Sequence, residues 1–143
     1  MDINKQTWDP IQSHLGYTDE EMKIFKENQR NIDVLSKAPV LMNKTIIAEV
    51  VESRGCNSRH KKGDKLYFDG AGNLITKLAP KRICIYALSS IAKLIFAANE
   101  LFYAGTDPNE MRFNRVGCFD VGVQCGGWGN VVMEIRVEDR KKA

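Results

Sequence analysis

The stretch 82–103 constrains this chain more than any other. Cys84, Leu88, Ile91, Ile95, Ala98 and Phe102 recur at the spacing of one helical face, and Ile83, Ala87, Leu94 and Leu101 widen it. An apolar face that broad has to be covered. The cover is legible as strands: Val131, Met133, Ile135 and Val137 alternate with Val132, Glu134, Arg136 and Glu138, the clearest strand in the chain. Residues 45–52 form a β-branched run in which Ile46, Ala48 and Val50 share one face and Ile47, Glu49 and Val51 the other. A short strand over 65–69 leads into Asp69-Gly70-Ala71-Gly72-Asn73, turn chemistry that predicts a hairpin onto Leu74 and Ile75. A further strand is expected over 116–124, with Gly126-Gly127-Trp128-Gly129 as a tight connection to the last one. Gly105 suits the end of the helix and Asp107-Pro108 the loop after it. The fold expected is α+β, a small, mostly antiparallel sheet packed on one central helix.

Residues 1–43 differ in character, rich in polar residues with isolated Trp8, Ile11, Leu15 and Tyr17, and read as an N-terminal helical arm. Thr18-Asp19-Glu20-Glu21 fits a capping box, with Tyr17 and Met22 placed as a hydrophobic staple. A helix over 19–36 should follow, its thin stripe of Met22, Phe25, Ile32 and Leu35 interrupted by Gln29 and its end marked by Pro39. So thin a stripe needs a partner surface; Trp8, Tyr17 and Phe25, with the glycine-flanked Trp128, are the candidate interface residues. The core domain then spans 44–138 and a charged, frayed tail 139–143.

Several function classes fall away. At 143 residues and 43% hydrophobic, the chain suits one core, and a net charge of +3 is too mild for a nucleic-acid binder. Lys93, Asn99 and Glu100 interrupt the apolar helix, which argues for a core element and against a membrane span. The first ten residues lack the pattern of a secretory signal, so a cytoplasmic protein is expected. No Gly-x-Gly-x-x-Gly, phosphate-binding Gly-Lys-Ser/Thr or Gly-x-Ser-x-Gly motif is present.

The chemistry concentrates in four cysteines and one histidine. In a reducing compartment, Cys56, Cys84, Cys118 and Cys125 favour free thiols, metal ligands or redox chemistry over disulfides. Three readings compete. As a metal site, the Cys56-x3-His60 pair joins Cys84 and Cys118 in a tetrahedral set suited to zinc or iron. As a catalytic thiol, Cys56 is activated by His60, which Asp64 orients. As plain packing, Cys84 and Cys118 are small buried side chains and His60 a polar loop residue. Cys125 would face away from Cys118 along a continuous strand, and His14 stands alone in the arm. Arg54, Arg59, Lys61, Lys62 and Lys65 crowd the Cys56 loop, where they either attract an anionic small molecule or form a solvated surface.

Glu52, Cys56, His60, Gly63-Asp64, Cys84 with Ala87, then Cys118 and Asp120 make the segment 45–138 resemble a family of small, poorly characterised proteins from mainly anaerobic bacteria and archaea. This sequence departs from that family's two Cys-Pro pairs: Ile85 follows Cys84 and Phe119 follows Cys118. The family has no established activity, so the resemblance implies that these positions matter without assigning a reaction. Together these readings lead first to a metal-binding accessory subunit or homo-oligomer of anaerobic catabolism. The alternatives are a thiol enzyme using Cys56, His60 and Asp64, and a non-catalytic interaction subunit of a larger enzyme.

Overall fold

The computed structural model describes residues 5–141, so residues 142–143 of the expected tail lie outside the described residues. It divides into two compact units, Met1–Pro39 and Val40–Ala143.

The first unit holds α1 (Lys5–Leu15), α2 (Asp19–Glu27) and most of α3 (Gln29–Met42). The capping box at α2 is present: Glu21 N–H donates to Thr18 Oγ1 at 3.2 Å and Thr18 N–H to Glu21 Oε2 at 2.8 Å. The sequence reading expected a helical arm but drew a single helix in it, over 19–36, without separating α1 and with α2 and α3 run together. Asn28 separates them: its Oδ1 accepts from Arg30 N–H at 3.1 Å, a local bond that takes the backbone out of the helix and caps the next one. Pro39 does not end α3, which continues through it to Met42. The turn beyond it is held by tertiary packing, since Leu41 is 3% exposed and its backbone lies against Gly70, where an added Cβ would come within 2.5 Å of Leu41 O.

The second unit is α+β. Its antiparallel sheet has the order β2-β1-β4-β3, from β1 (Lys44–Arg54), β2 (Lys65–Phe68), β3 (Arg115–Gly117) and β4 (Asn130–Asp139). The central helix α4 (Ile85–Tyr103) covers one sheet face. Ala87, Ile91, Ile95 and Ala98 pack there with Ile46, Ala48, Val50, Leu66, Phe68, Val131, Met133 and Ile135. By length and composition α4 could cross a membrane, but here its buried stripe is the core of the sheet-helix sandwich. The opposite sheet face carries a charge network beside the buried Ile47: Arg136 meets Glu49 at 3.5 Å and Glu138 at 2.6 Å, and Lys65 meets Glu49 at 3.5 Å.

Two connections differ from expectation. After β2 the Asp69 carboxylate gathers Ala71 and Asn73 N–H, both at 2.9 Å, and the hairpin reduces to a single bridge between Phe68 and Leu74 before a 3₁₀ turn at Thr76–Leu78. The strand expected over 116–124 stops at Gly117, because Asp120 organises the chain after it into a loop. Beyond β3, Asn109 borders β4 in place of a strand: Val137 N–H donates to its Oδ1 at 2.8 Å and its Nδ2 to Val137 O at 2.9 Å.

Candidate functional site

At one end of the sheet, the loops after β1 and after β3, the start of β4 and the head of α4 line a half-open cavity of about 690 Å³. Cys56, His60, Cys84 and Cys118 all line it. Each reaches it by a different local device.

β1 bulges between Val50 and Glu52 and leaves the sheet at Gly55, whose φ is +62°. A turn closed by Arg59 N–H to Cys56 O at 3.0 Å follows, and Arg59 takes φ +60°, left-handed for a non-glycine residue. Ser53 Oγ donates to His60 O and ties the loop back to the strand. His60, 8% exposed, thereby enters the interior, and its Nε2 accepts the Cys84 N–H at 3.1 Å. That bond satisfies a donor that α4 leaves free at its start, and it implies the neutral tautomer with the proton on Nδ1.

Cys84 is the N-cap residue of α4, one position ahead of the helix rather than in its first turn. Its side chain closes no ideal capping bond, but the opening amides of the helix face it. Burial raises the pKa of this thiol; the N–H groups of Ala87 and Tyr86, with the Ser58 side chain, outweigh burial and hold it below its ordinary value. The positive end of the helix dipole works in the same direction.

Cys118 follows β3 and is fixed in place. Its N–H donates to Val131 O at 2.9 Å, its Sγ accepts from Val131 N–H at 3.3 Å, and its S–H points to Asp120 O at 3.8 Å. Asp120 then builds the far wall. Oδ1 accepts from Gly122 N–H at 3.0 Å and Trp128 N–H at 2.9 Å, and Oδ2 from Gly129 N–H at 3.0 Å. The amides of Gly129, Gly122 and Trp128 hold this carboxyl below the usual carboxylate range. Backbone crowding explains the glycines: a Cβ on Gly127 would stand 2.1 Å from Asp120 Oδ1, and one on Gly129 2.2 Å from Gly55 O. Gly126-Gly127-Trp128-Gly129 is thus part of the same site as the cysteines.

The remaining expectations fall elsewhere. Asp64 does not orient His60: its Oδ2 accepts from Lys61 N–H at 3.0 Å, and with His60 it borders a small void of about 10 Å³. Arg54, Arg59, Lys61, Lys62 and Lys65 do not line the cavity, and Lys65 pairs with Glu49 on the opposite sheet face. Cys125 is exposed in a 3₁₀ turn at Val123–Cys125, and His14 is exposed on α1. Three of the expected interface residues pack on one another: Trp8, 8% exposed, meets Phe25 edge-on at 6.4 Å, and Tyr17 meets Phe25 at 5.9 Å. Lys26 Nζ sits 5.0 Å over the Trp8 ring. Trp128 instead stands open at the cavity mouth.

For metal binding, the donor types fit zinc or iron but their placement is incomplete. Among the described residues, no three His, Cys, Asp or Glu side chains are arranged to hold one ion. The Nε2 of His60 and the sulfur of Cys118 are both engaged by backbone amides. Sequence reasoning gave no role to Ser58, Tyr86 or Phe119, and it singled out Asp120 only through the family resemblance, without its part in building the loop. For that part the signal is an acid shortly before a glycine-rich run. No protein-family model, no curated protein and no solved structure matches the chain, so the geometry alone carries the functional reading.

Proposed function

We propose that this chain is a thiol-dependent small-molecule enzyme whose nucleophile is Cys84. The supporting observation is its place at the head of α4, on the wall of a cavity that Cys56, Cys118 and His60 also line. A thiol whose pKa is lowered there gives up its proton more readily, and the thiolate is a soft nucleophile: its sulfur lone pair forms the new S–C bond and the leaving group departs with the electron pair of the bond that breaks. His60 is a positioning residue, because its Nε2 holds the Cys84 amide and is engaged in that bond. The Ser58 side chain, from the β1 loop, contributes to lowering the pKa of the Cys84 thiol. Peptide mapping after brief iodoacetamide treatment at neutral pH tests the assignment. Cys84 should carry the label before Cys56 and Cys118; first labelling at Cys56 would return the role to the Cys56-His60-Asp64 arrangement.

A second reading, the metal-binding accessory subunit, is favoured by the convergence of four soft donors on one cavity. Binding there would require the Cys118 and His60 side chains to give up their present partners. Elemental analysis of protein purified without oxygen discriminates the two. Stoichiometric zinc or iron that blocks Cys84 labelling supports the metal site; traces of metal with free labelling support the nucleophile.

A further inference from the structure

The rim of the cavity carries apolar surface that folding leaves uncovered. Trp128 is 74% exposed, Phe119 79% and Tyr86 60%, and all three line the same cavity as Cys84. Tyr86 and Phe119 stand 5.7 Å apart with their planes inclined by 31°, while Trp128 lies on the glycine loop that Asp120 fixes. Exposed aromatic surface of this extent is unfavourable in water unless something covers it. Its place at the mouth of a half-open cavity of about 690 Å³, a size within the range of small-molecule sites, favours a ligand that enters the cavity as the cover.

The charges at the site narrow the class. Among the described residues, no Lys or Arg lines the cavity. Asp120 spends its carboxylate on three loop amides. The opening amides of α4 lie beside the Cys84 sulfur, which closes no capping bond with them. No basic side chain is there to pair with an anion and the one carboxylate is engaged by the loop, whereas three ring faces can stack on a flat ligand.

We infer that the cavity takes an uncharged, planar aromatic electrophile, stacked by Trp128, Phe119 and Tyr86 so that its reactive carbon meets Cys84. This rests on the reading of Cys84 as the nucleophile and adds the substrate class to it.

Phenacyl bromide is a suitable probe: the Cys84 sulfur lone pair bonds to the bromomethyl carbon and bromide leaves with the C–Br electron pair. The quantity read is the rate with phenacyl bromide divided by the rate with iodoacetamide, at Cys84 and at glutathione. The ratio at Cys84 should exceed that at glutathione by about tenfold, within what a few aromatic contacts supply. It should fall towards the glutathione ratio in Trp128→Ala and in Phe119→Ala, and be largely retained in Trp128→Phe. Both side chains are exposed, so neither substitution disturbs the core. A ratio equal to that of glutathione, with Cys84 still quickly alkylated by iodoacetamide, overturns the aromatic class and leaves the nucleophile standing. Slow alkylation of Cys84 by both reagents overturns the nucleophile itself. Equal acceleration with 4-carboxyphenacyl bromide overturns the uncharged part of the inference.

Discussion

His60 is the joint between the β1 loop and the thiol helix, and its removal can be worked out from the structure. In His60→Ala the Cys84 N–H loses its acceptor in a half-buried setting; a donor left unsatisfied costs about 1–3 kcal/mol. The ring itself, only 8% exposed, leaves a void that adds roughly 1 kcal/mol. A total of about 3 kcal/mol, divided by a urea m-value of roughly 2 kcal/mol/M, lowers the unfolding midpoint by about 1.5 M. His60→Gln is the decisive companion. Glutamine can bring its Oε1 close to the position of Nε2 and accept the same amide, so it should recover about half of the loss. Far-UV circular dichroism through a urea titration reads both variants. If His60→Ala moved the midpoint by less than about 0.3 M, or if His60→Gln were no better than alanine, the hydrogen bond would not be what ties loop to helix.

Three further outcomes follow from other parts of the structure. Asp120 has a folded-state pKa below its ordinary 3.8, so its hold on the loop is complete above that value and is lost as the pH falls through the lowered one; amide exchange at Trp128 and Gly129, corrected for the intrinsic pH dependence, should stay protected at neutral pH and lose protection only in that acid range. Gly129→Ala puts a Cβ 2.2 Å from Gly55 O and should separate the two loops, with new amide shifts around Gly55 and Trp128 while α4 keeps its own spectrum. Ile91, wholly buried between α4 and the sheet, should cost about 2–5 kcal/mol as Ile91→Ala, read from the denaturation midpoint.

What the sequence disclosed follows from the range of the interactions involved. β1, β4 and α4 have strong period, because each buries a stripe against the others, and their faces were legible residue by residue. The break at Asn28 and the shortening of β3 depend on single side chains meeting backbone amides, and the passage of α3 through Pro39 on tertiary packing at Leu41; periodicity carries no trace of either. In the site, Cys56, His60, Cys84 and Cys118 stood out as chemistry-bearing residues in separate elements, and the structure lines one cavity with them. Their roles were hidden. The distinction between Cys56 and Cys84 turns on one residue of helix register, which places the Cys84 sulfur beside the first amides of α4. Asp64 looked like a partner for His60 by spacing, yet the turn it caps at Lys61 claims its carboxylate first. The exposure of Tyr86 and Phe119 could not be read from a sequence that puts the first in an apolar helix and the second in an expected strand.

The most direct measurement is the pH–rate profile of iodoacetamide alkylation at Cys84, followed by peptide mapping alongside glutathione. With the amides of Ala87 and Tyr86 and the Ser58 side chain favouring the thiolate, the midpoint at Cys84 should lie below that of glutathione and move upward in Ser58→Ala. A midpoint at or above that of glutathione, unmoved by Ser58→Ala, would show an ordinary buried thiol at the head of α4 and contradict its assignment as the nucleophile.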